Sequence, residues 1–169
     1  MAIWRDGGFA DDIWTTLDDS APIPERGAIV VSFARWQAEK ATLEKRADPV
    51  GVAIVASKDA VGELAEAARR PLVALKFDKF ADGRAFSYAE LLRERYGLKG
   101  ELRATGEVLL DEIALMLRCG FTSFEVTDAN TLRALEEGRA PKGALFYQPA
   151  LGPREAPAGT RPWLRKASA

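Results

Sequence analysis

The stretch Leu75–Phe124 decides the fold, and it reads LKFDKFADGRAFSYAELLRERYGLKGELRATGEVLLDEIALMLRCGFTSF. Its first residues end a short apolar run, residues 72–77, which follows Pro71 and is too short for a helix, so it predicts a buried strand. Residues 101–105 predict the next strand. Residues 107–119 predict a helix whose apolar side chains share one face, and a glycine after it supplies the stop signal.

The segment between these two strands carries its own helix signals. Ser87 predicts an N-cap, and Glu90 three residues later completes a capping box. The apolar residues on either side of that cap predict a hydrophobic staple. Gly97 supplies a left-handed stop, so we predict a helix over residues 87–97.

The rest of the chain repeats this alternation. Further strands are predicted at residues 28–32, 51–56, 121–126 and 144–147. Further helices are predicted at residues 34–46, from 57 or 59 to 70, and at 129–137. Strands that alternate with helices are typical of βαβ units, so we predict an α/β fold, a mainly parallel sheet with alternating helices in a three-layer sandwich. An incomplete βα barrel fits the spacing equally well, because periodicity does not reveal whether a sheet closes.

Three segments differ in composition. Residues 1–25 form a predicted N-terminal arm, whose frequent aromatic side chains are expected to pack on the domain or on a partner. Residues 26–148 are predicted to form a single α/β domain. Residues 149–169 are rich in proline and basic side chains and predict a flexible tail. The alternative for this tail is a docking arm anchored by Trp163 and Leu164.

The net charge of the chain and the length of its apolar runs indicate which kinds of partner to expect. The chain has 24 basic and 25 acidic residues and a formal net charge of −1, which gives no global attraction to nucleic acid or to a membrane surface. No apolar run approaches the ~18 residues of a membrane span, and the N-terminal residues lack the pattern of a signal peptide. We therefore expect a cytoplasmic protein with no nucleic-acid or membrane partner; the oligomeric state stays open.

The absence of histidine and the single cysteine exclude several chemistries within one chain. Cys119 alone cannot form an internal disulfide, a CxxC redox pair, a four-cysteine cluster or a Cys/His zinc site. No GxGxxG follows a strand and no GxxxxGK[ST] is present, so a conventional nucleotide loop is not expected. We predict no metal site and no resident cofactor, and any redox activity would need a borrowed organic cofactor or a partner.

The loop after residues 72–77 is the predicted ligand site. Ligands of open parallel sheets bind at the carboxyl ends of strands. The predicted anion site consists of Lys76, Lys79, Asp82, Arg84 and Arg103. Its expected ligand is an oxyanion such as sulfite, a sulfate ester or a phosphate, which the arginines would hold through bidentate hydrogen bonds.

Arg103 has a second interpretation. It lies in the middle of a predicted buried strand, where an unpaired charge costs several kcal/mol. A structural ion pair that clamps strand to loop would satisfy it equally well. The candidate carboxylates for that pair are Asp78, Asp82, Glu101 and Asp111.

Residues 75–121, LKFDKFADGRAFSYAELLRERYGLKGELRATGEVLLDEIALMLRCGF, resemble the signature of a bacterial family, the domain of unknown function numbered 934. The resemblance extends from about Ile29 to Tyr147. The family tends to have Pro at the position of Asp78, where its absence loosens the loop, and Asp at that of Glu107.

The resemblance implies a pathway and no catalytic residues. Members are described as probable oxidoreductases or accessory proteins of sulfite reduction, beside sulfite reductase and phosphoadenylyl sulfate reductase. We therefore expect an accessory protein of assimilatory sulfite or sulfate reduction that acts with sulfite reductase or another enzyme of the pathway. The alternatives are a small anion-binding enzyme, an oxidoreductase with a borrowed cofactor, and a ligand-sensing domain without turnover.

Overall fold

The computed structural model describes residues 1–77 and 83–141. Its centre is one eight-stranded sheet with the order β2-β1-β8-β7-β6-β5-β4-β3. The strands are β1 (Ala2–Arg5), β2 (Gly8–Ala10), β3 (Trp14–Thr16), β4 (Ala28–Ser32), β5 (Val50–Val55), β6 (Leu72–Phe77), β7 (Glu101–Gly106) and β8 (Ser123–Val126). Strands β3 to β8 are parallel to one another, whereas β1 pairs antiparallel with β8 and with β2.

Helices follow the parallel strands. They are α1 (Phe33–Ala38), α2 (Lys40–Leu43), α3 (Leu64–Ala67), α4 (Arg84–Glu90), α5 (Leu110–Arg118) and α6 (Ala129–Glu136). A 3-10 segment, Lys58–Glu63, precedes α3, and a π-helical turn, Leu91–Arg95, continues α4. Ser32 caps α1 and Asp128 caps α6, each by accepting a backbone N–H three residues on.

Within residues 1–77 and 83–141, the helices cover one face of the sheet only. Parallel strands in sequential order, joined by right-handed crossovers, place every helix on the same side. The main core agrees, because it joins strand residues such as Val52 and Leu75 to helix residues such as Trp36 and Ile113. The other face, which we call the inner face, has a small separate apolar cluster around Leu72.

The sheet is curled, and the connectivity of the chain requires this. β2 and β3 form opposite edges of the sheet, yet β2 ends at Ala10 and β3 begins at Trp14. Four residue steps span at most about 15 Å, whereas the edges of a flat eight-stranded sheet lie about 34 Å apart. The edge strands must therefore approach each other, and the sheet forms a half-barrel with the helices outside.

This architecture confirms the predicted α/β fold. Of the two arrangements left open, the incomplete βα barrel matches the strand order, because a three-layer sandwich needs helices on both faces. The sequence did not predict β1, β2 and β3 within residues 1–25, where Trp4 packs on Phe124 with ring centroids 5.6 Å apart. The predicted strand at 144–147 and the tail at 149–169 lie outside the described residues.

The predicted cap at Ser87 is wrong. The helix begins at Arg84, with Gly83 as its N-cap, so Ser87 lies inside the helix and is exposed. The Ser-x-x-Glu pattern therefore falls on an ordinary helix surface, where both side chains reach water. The stop signals were predicted correctly, because Gly97 and Gly120 follow their helices with φ of 68° and 94°.

Gly106 fixes the path from β7 toward α5. Its φ is +85°, and a Cβ there would lie 2.3 Å from the carbonyl oxygen of Phe77. That oxygen already accepts the backbone N–H of Glu107 at 3.0 Å. Only glycine therefore fits at this end of the strand.

We predict that Gly106→Ala lowers the free energy of unfolding by more than about 2 kcal/mol, because it adds a strained φ to a backbone clash. Gly62→Ala is the matched control, since a Cβ at Gly62 meets nothing within 4 Å. That control should change stability by less than about 1 kcal/mol. Urea unfolding measures both, and equal effects would contradict the assigned backbone geometry.

Candidate functional site

A buried ion cluster occupies the inner face of the half-barrel. The side chain of Arg103, on β7, is only 3% exposed. Its Nη1 and Nη2 donate to the two carboxylate oxygens of Asp12, at 2.7 and 2.9 Å. Its Nε donates to Glu101 at 3.0 Å, and the Ser123 hydroxyl donates to the same Glu101 oxygen at 2.5 Å. All three guanidinium nitrogens of Arg103 are therefore engaged by carboxylates.

The Arg103–Asp12 pair crosses the interior of the half-barrel. Asp12 lies in the three-residue link between β2 and β3, where it also accepts the backbone N–H of Trp14 at 3.1 Å. β7 lies three strands from one edge and four strands from the other. The pair therefore ties the middle of the sheet to the seam between its edges.

Electrostatics within the pair are mutually stabilising. Burial alone raises the pKa of Asp12. The hydrogen bonds from Arg103 and from the Trp14 backbone, with the positive charges of Arg103 and Arg5, outweigh burial and hold that pKa below its ordinary value of 3.8. Burial lowers the pKa of Arg103, and its bonds to Asp12 and Glu101 outweigh that effect and raise it. Both groups are therefore charged at neutral pH.

We predict that Asp12→Asn lowers the free energy of unfolding at pH 7 by about 2–3 kcal/mol, because it leaves a buried guanidinium with only one carboxylate partner. Because folding lowers the pKa of Asp12, the stabilisation by its ionised carboxylate is fully present at any pH above the pKa of Asp12 in the unfolded chain. It disappears as pH falls through the lower folded value, so variant and wild type should converge below pH 3.8.

Urea unfolding across this pH range measures the difference. Asp11→Asn is the matched control, because Asp11 is exposed and adjacent, and it should stay within about 0.5 kcal/mol of wild type. An Asp12→Asn variant as stable as the control at pH 7 would contradict the role given to the pair.

Polar side chains also line the carboxyl-end opening of the half-barrel, which we call the mouth. Side chains alternate between the two faces along each strand, and this alternation places three polar residues on the inner face. They are Lys76 on β6, Thr105 on β7 and Glu125 on β8, and we call them the mouth row. Lys76 is paired with Thr105 in the β6–β7 register, and Thr105 and Glu125 each lie one residue beyond the pair Ala104 and Phe124. The mouth row therefore runs across three neighbouring strands.

Glu125 is the unusual member of the mouth row. It is half-buried, and within the described part of the chain its carboxylate has no hydrogen bond or ion pair. Burial raises the pKa of Glu125; the positive charges of Arg103 and the N-terminal amino group counter this, whereas Asp12 adds to it. The sequence carries a signal for this residue that we missed, because a carboxylate between Phe124 and Val126 is as anomalous in a buried strand as Arg103 is.

The predicted anion site stays a prediction. Lys76 and Arg103 share the inner face, two residues apart in register. The Arg103 guanidinium is bound by Asp12 and Glu101, and of these only Glu101 was among the carboxylates considered from the sequence. Arg84 is exposed at the first turn of α4. Lys79 and Asp82, like the candidate partner Asp78, lie outside the described residues.

A groove of about 410 Å³ lies between α5 and α6 and contains no residue of the predicted anion site. Among residues 1–77 and 83–141, no three His, Cys, Asp or Glu side chains are grouped to hold a metal ion. In the same residues no helix is long and apolar enough to cross a membrane.

Cys119, which follows α5, is buried. It is 4% exposed, and its thiol donates to Glu90 across 3.6 Å. Burial, together with the negative charge of Glu90, raises its pKa to about 12. The thiol therefore stays protonated at neutral pH and is a poor nucleophile.

Comparison with known proteins places the chain in a family. A family model described as bacterial protein of unknown function (DUF934) matches residues 51–157, which is more than half of the chain. The chain belongs to the DUF934 family. Residues 51–157 include all but the first residue of β5, the whole of β6 to β8 and the whole of the mouth row. No curated protein and no solved structure matches the chain.

Proposed function

We propose that this DUF934 protein is an accessory protein of assimilatory sulfite reduction that acts by associating with sulfite reductase rather than by carrying electrons itself. The observation that supports this role is the state of its single cysteine. Cys119 is buried, protonated and bonded to Glu90, and the sequence contains no histidine. The chain therefore has no thiolate for disulfide exchange at neutral pH, which supports a role in association rather than in electron transfer.

A surface for such an association lies at the seam of the half-barrel. Ile13, in the link between the edge strands, is 70% exposed, and Phe9 on β2 is 42% exposed. The two positions are four residues apart in the chain, and exposed large apolar side chains that share one region of a surface favour a protein contact. β2 and β3 also end the sheet, and their outer edges are unpaired within the described residues.

Growth of a deletion strain tests the proposal. Without this gene, the bacterium should grow normally on cysteine and slowly on both sulfate and sulfite, because the step that consumes sulfite is impaired. Normal growth on sulfite with slow growth on sulfate would place the protein at an earlier step and contradict the proposal. Normal growth on all three sulfur sources would also contradict it.

Variants expressed in the deletion strain test separately whether the Cys119 thiol and the exposed apolar surface are needed for growth. Cys119→Ser should restore growth, because the thiol takes no part. The double variant Phe9→Ser/Ile13→Ser should not restore it, since the contact surface is lost. Leu115→Ser is the matched control, because Leu115 is 44% exposed on α5, away from the seam, and it should restore growth. Equal growth with the seam variant and this control would overturn the assigned surface.

A further inference from the structure

The groove between α5 and α6 has an apolar floor and a polar rim. The floor contains Leu109 and Leu110, which are half-buried, and Ala134, which is 2% exposed. The exposed residues of the rim are Asp111, Asn130, Arg133 and Arg139. The groove volume of about 410 Å³ lies within the range of clefts that enclose a drug-sized molecule, so it has room for a few side chains of a peptide segment.

The chain turns toward this groove as it leaves α6. Gly138 follows the helix with φ of 72°, and its N–H donates to the carbonyl oxygen of Leu135 at 3.1 Å. The N–H of Arg139 donates to the carbonyl oxygen of Ala134 at 2.8 Å, which completes a Schellman turn. Arg139 lines the groove, and Ala140 packs on the main core. The residues that come next in the chain therefore start beside the groove.

We propose that residues 144–147 of the same chain occupy this groove and pack on Leu110 and Ala134. These four residues read ALFY, and they follow shortly after Pro141, which ends the described part of the chain. Four residue steps separate Pro141 from Leu145 and span at most about 15 Å, so the run reaches the groove. Docked there, it fixes the start of residues 149–169 beside α6. This inference goes beyond the association at the seam and does not depend on it.

The composition of the run matches the groove. Leu145, Phe146 and Tyr147 are three large apolar residues in succession. In water they would form an exposed apolar run, whereas the groove offers them an apolar floor inside a polar rim. The family model also continues past Pro141 to residue 157, so this run belongs to the sequence that the family has in common.

The sheet offers the run few other places. β1 and β4 to β8 each have a neighbouring strand on both sides, so within the described residues the outer edges of β2 and β3 are the positions left for another strand. The outer edge of β2 lies two strands from β8, the strand that leads into α6. The groove is closer, because Arg139 is one of its lining residues.

Contacts between protons test the proposal on the full chain. Ring protons of Phe146 and Tyr147 should give nuclear Overhauser effects to methyl groups of Leu110 and Ala134, because packed side chains lie in van der Waals contact. A sample that mixes labelled and unlabelled chains should show none of these effects between chains. Effects between chains would assign the groove to a second copy and overturn the proposal. Effects from the run to β2 or β3 would place it on a sheet edge and overturn it as well.

A pair of variants makes the test specific. Leu145→Ser should shift the amide signals of Leu110 and Ala134, because it removes an apolar side chain from the groove. Leu151→Ser is the matched control, since it makes the same change beyond the run, and it should leave both signals in place. Equal shifts from the two variants, or none from Leu145→Ser, would overturn the proposal. Either result would leave the proposed association with the reductase unaffected.

Discussion

The Arg103–Asp12 ion pair is the interaction on which the rest of the fold depends. A guanidinium on β7, 3% exposed, reaches across the inner face to a carboxylate between the two edge strands. The three-residue link forces the edges together, and the ion pair holds the link against the middle of the sheet. The pair therefore requires the curl, because a flat sheet would leave Asp12 far from β7 and Arg103 with an incomplete set of partners.

The two ends of the half-barrel interior carry different sets of charged side chains. Glu101 and Arg103 fill the part nearer the amino ends of the parallel strands, with Asp12 and Ser123 as their partners. The carboxyl ends carry the mouth row, whose Glu125 has no partner in the described residues. The charges nearer the amino ends are therefore satisfied within the protein.

Local signals predicted much of this fold. The strands at residues 28–32 and 72–77 were predicted with the bounds that the structure has, because short apolar runs between turn residues leave little choice. The glycine stops were also clear, since a positive φ after a helix favours glycine. The Ser87 cap failed because the helix begins at Arg84, ahead of the capping pattern.

Long-range features were not predictable in the same way. Arg103 and Asp12 are separated by 91 residues, and no local pattern links them. The short strands β1, β2 and β3 have weak signals of their own and are ordered by pairing with β8, β1 and β4. The sequence indicated that Arg103 needed a carboxylate, but the partner at the seam follows only from the curl of the sheet.

A double-mutant cycle on Asp12→Asn and Arg103→Met tests the central claim most directly. If the two side chains are partners across the interior, the double variant is less destabilised than the sum of the single variants, with a coupling energy of about 1–3 kcal/mol. Additive effects within about 0.3 kcal/mol would show that the two side chains do not interact, and would contradict the ion pair as the contact that closes the half-barrel.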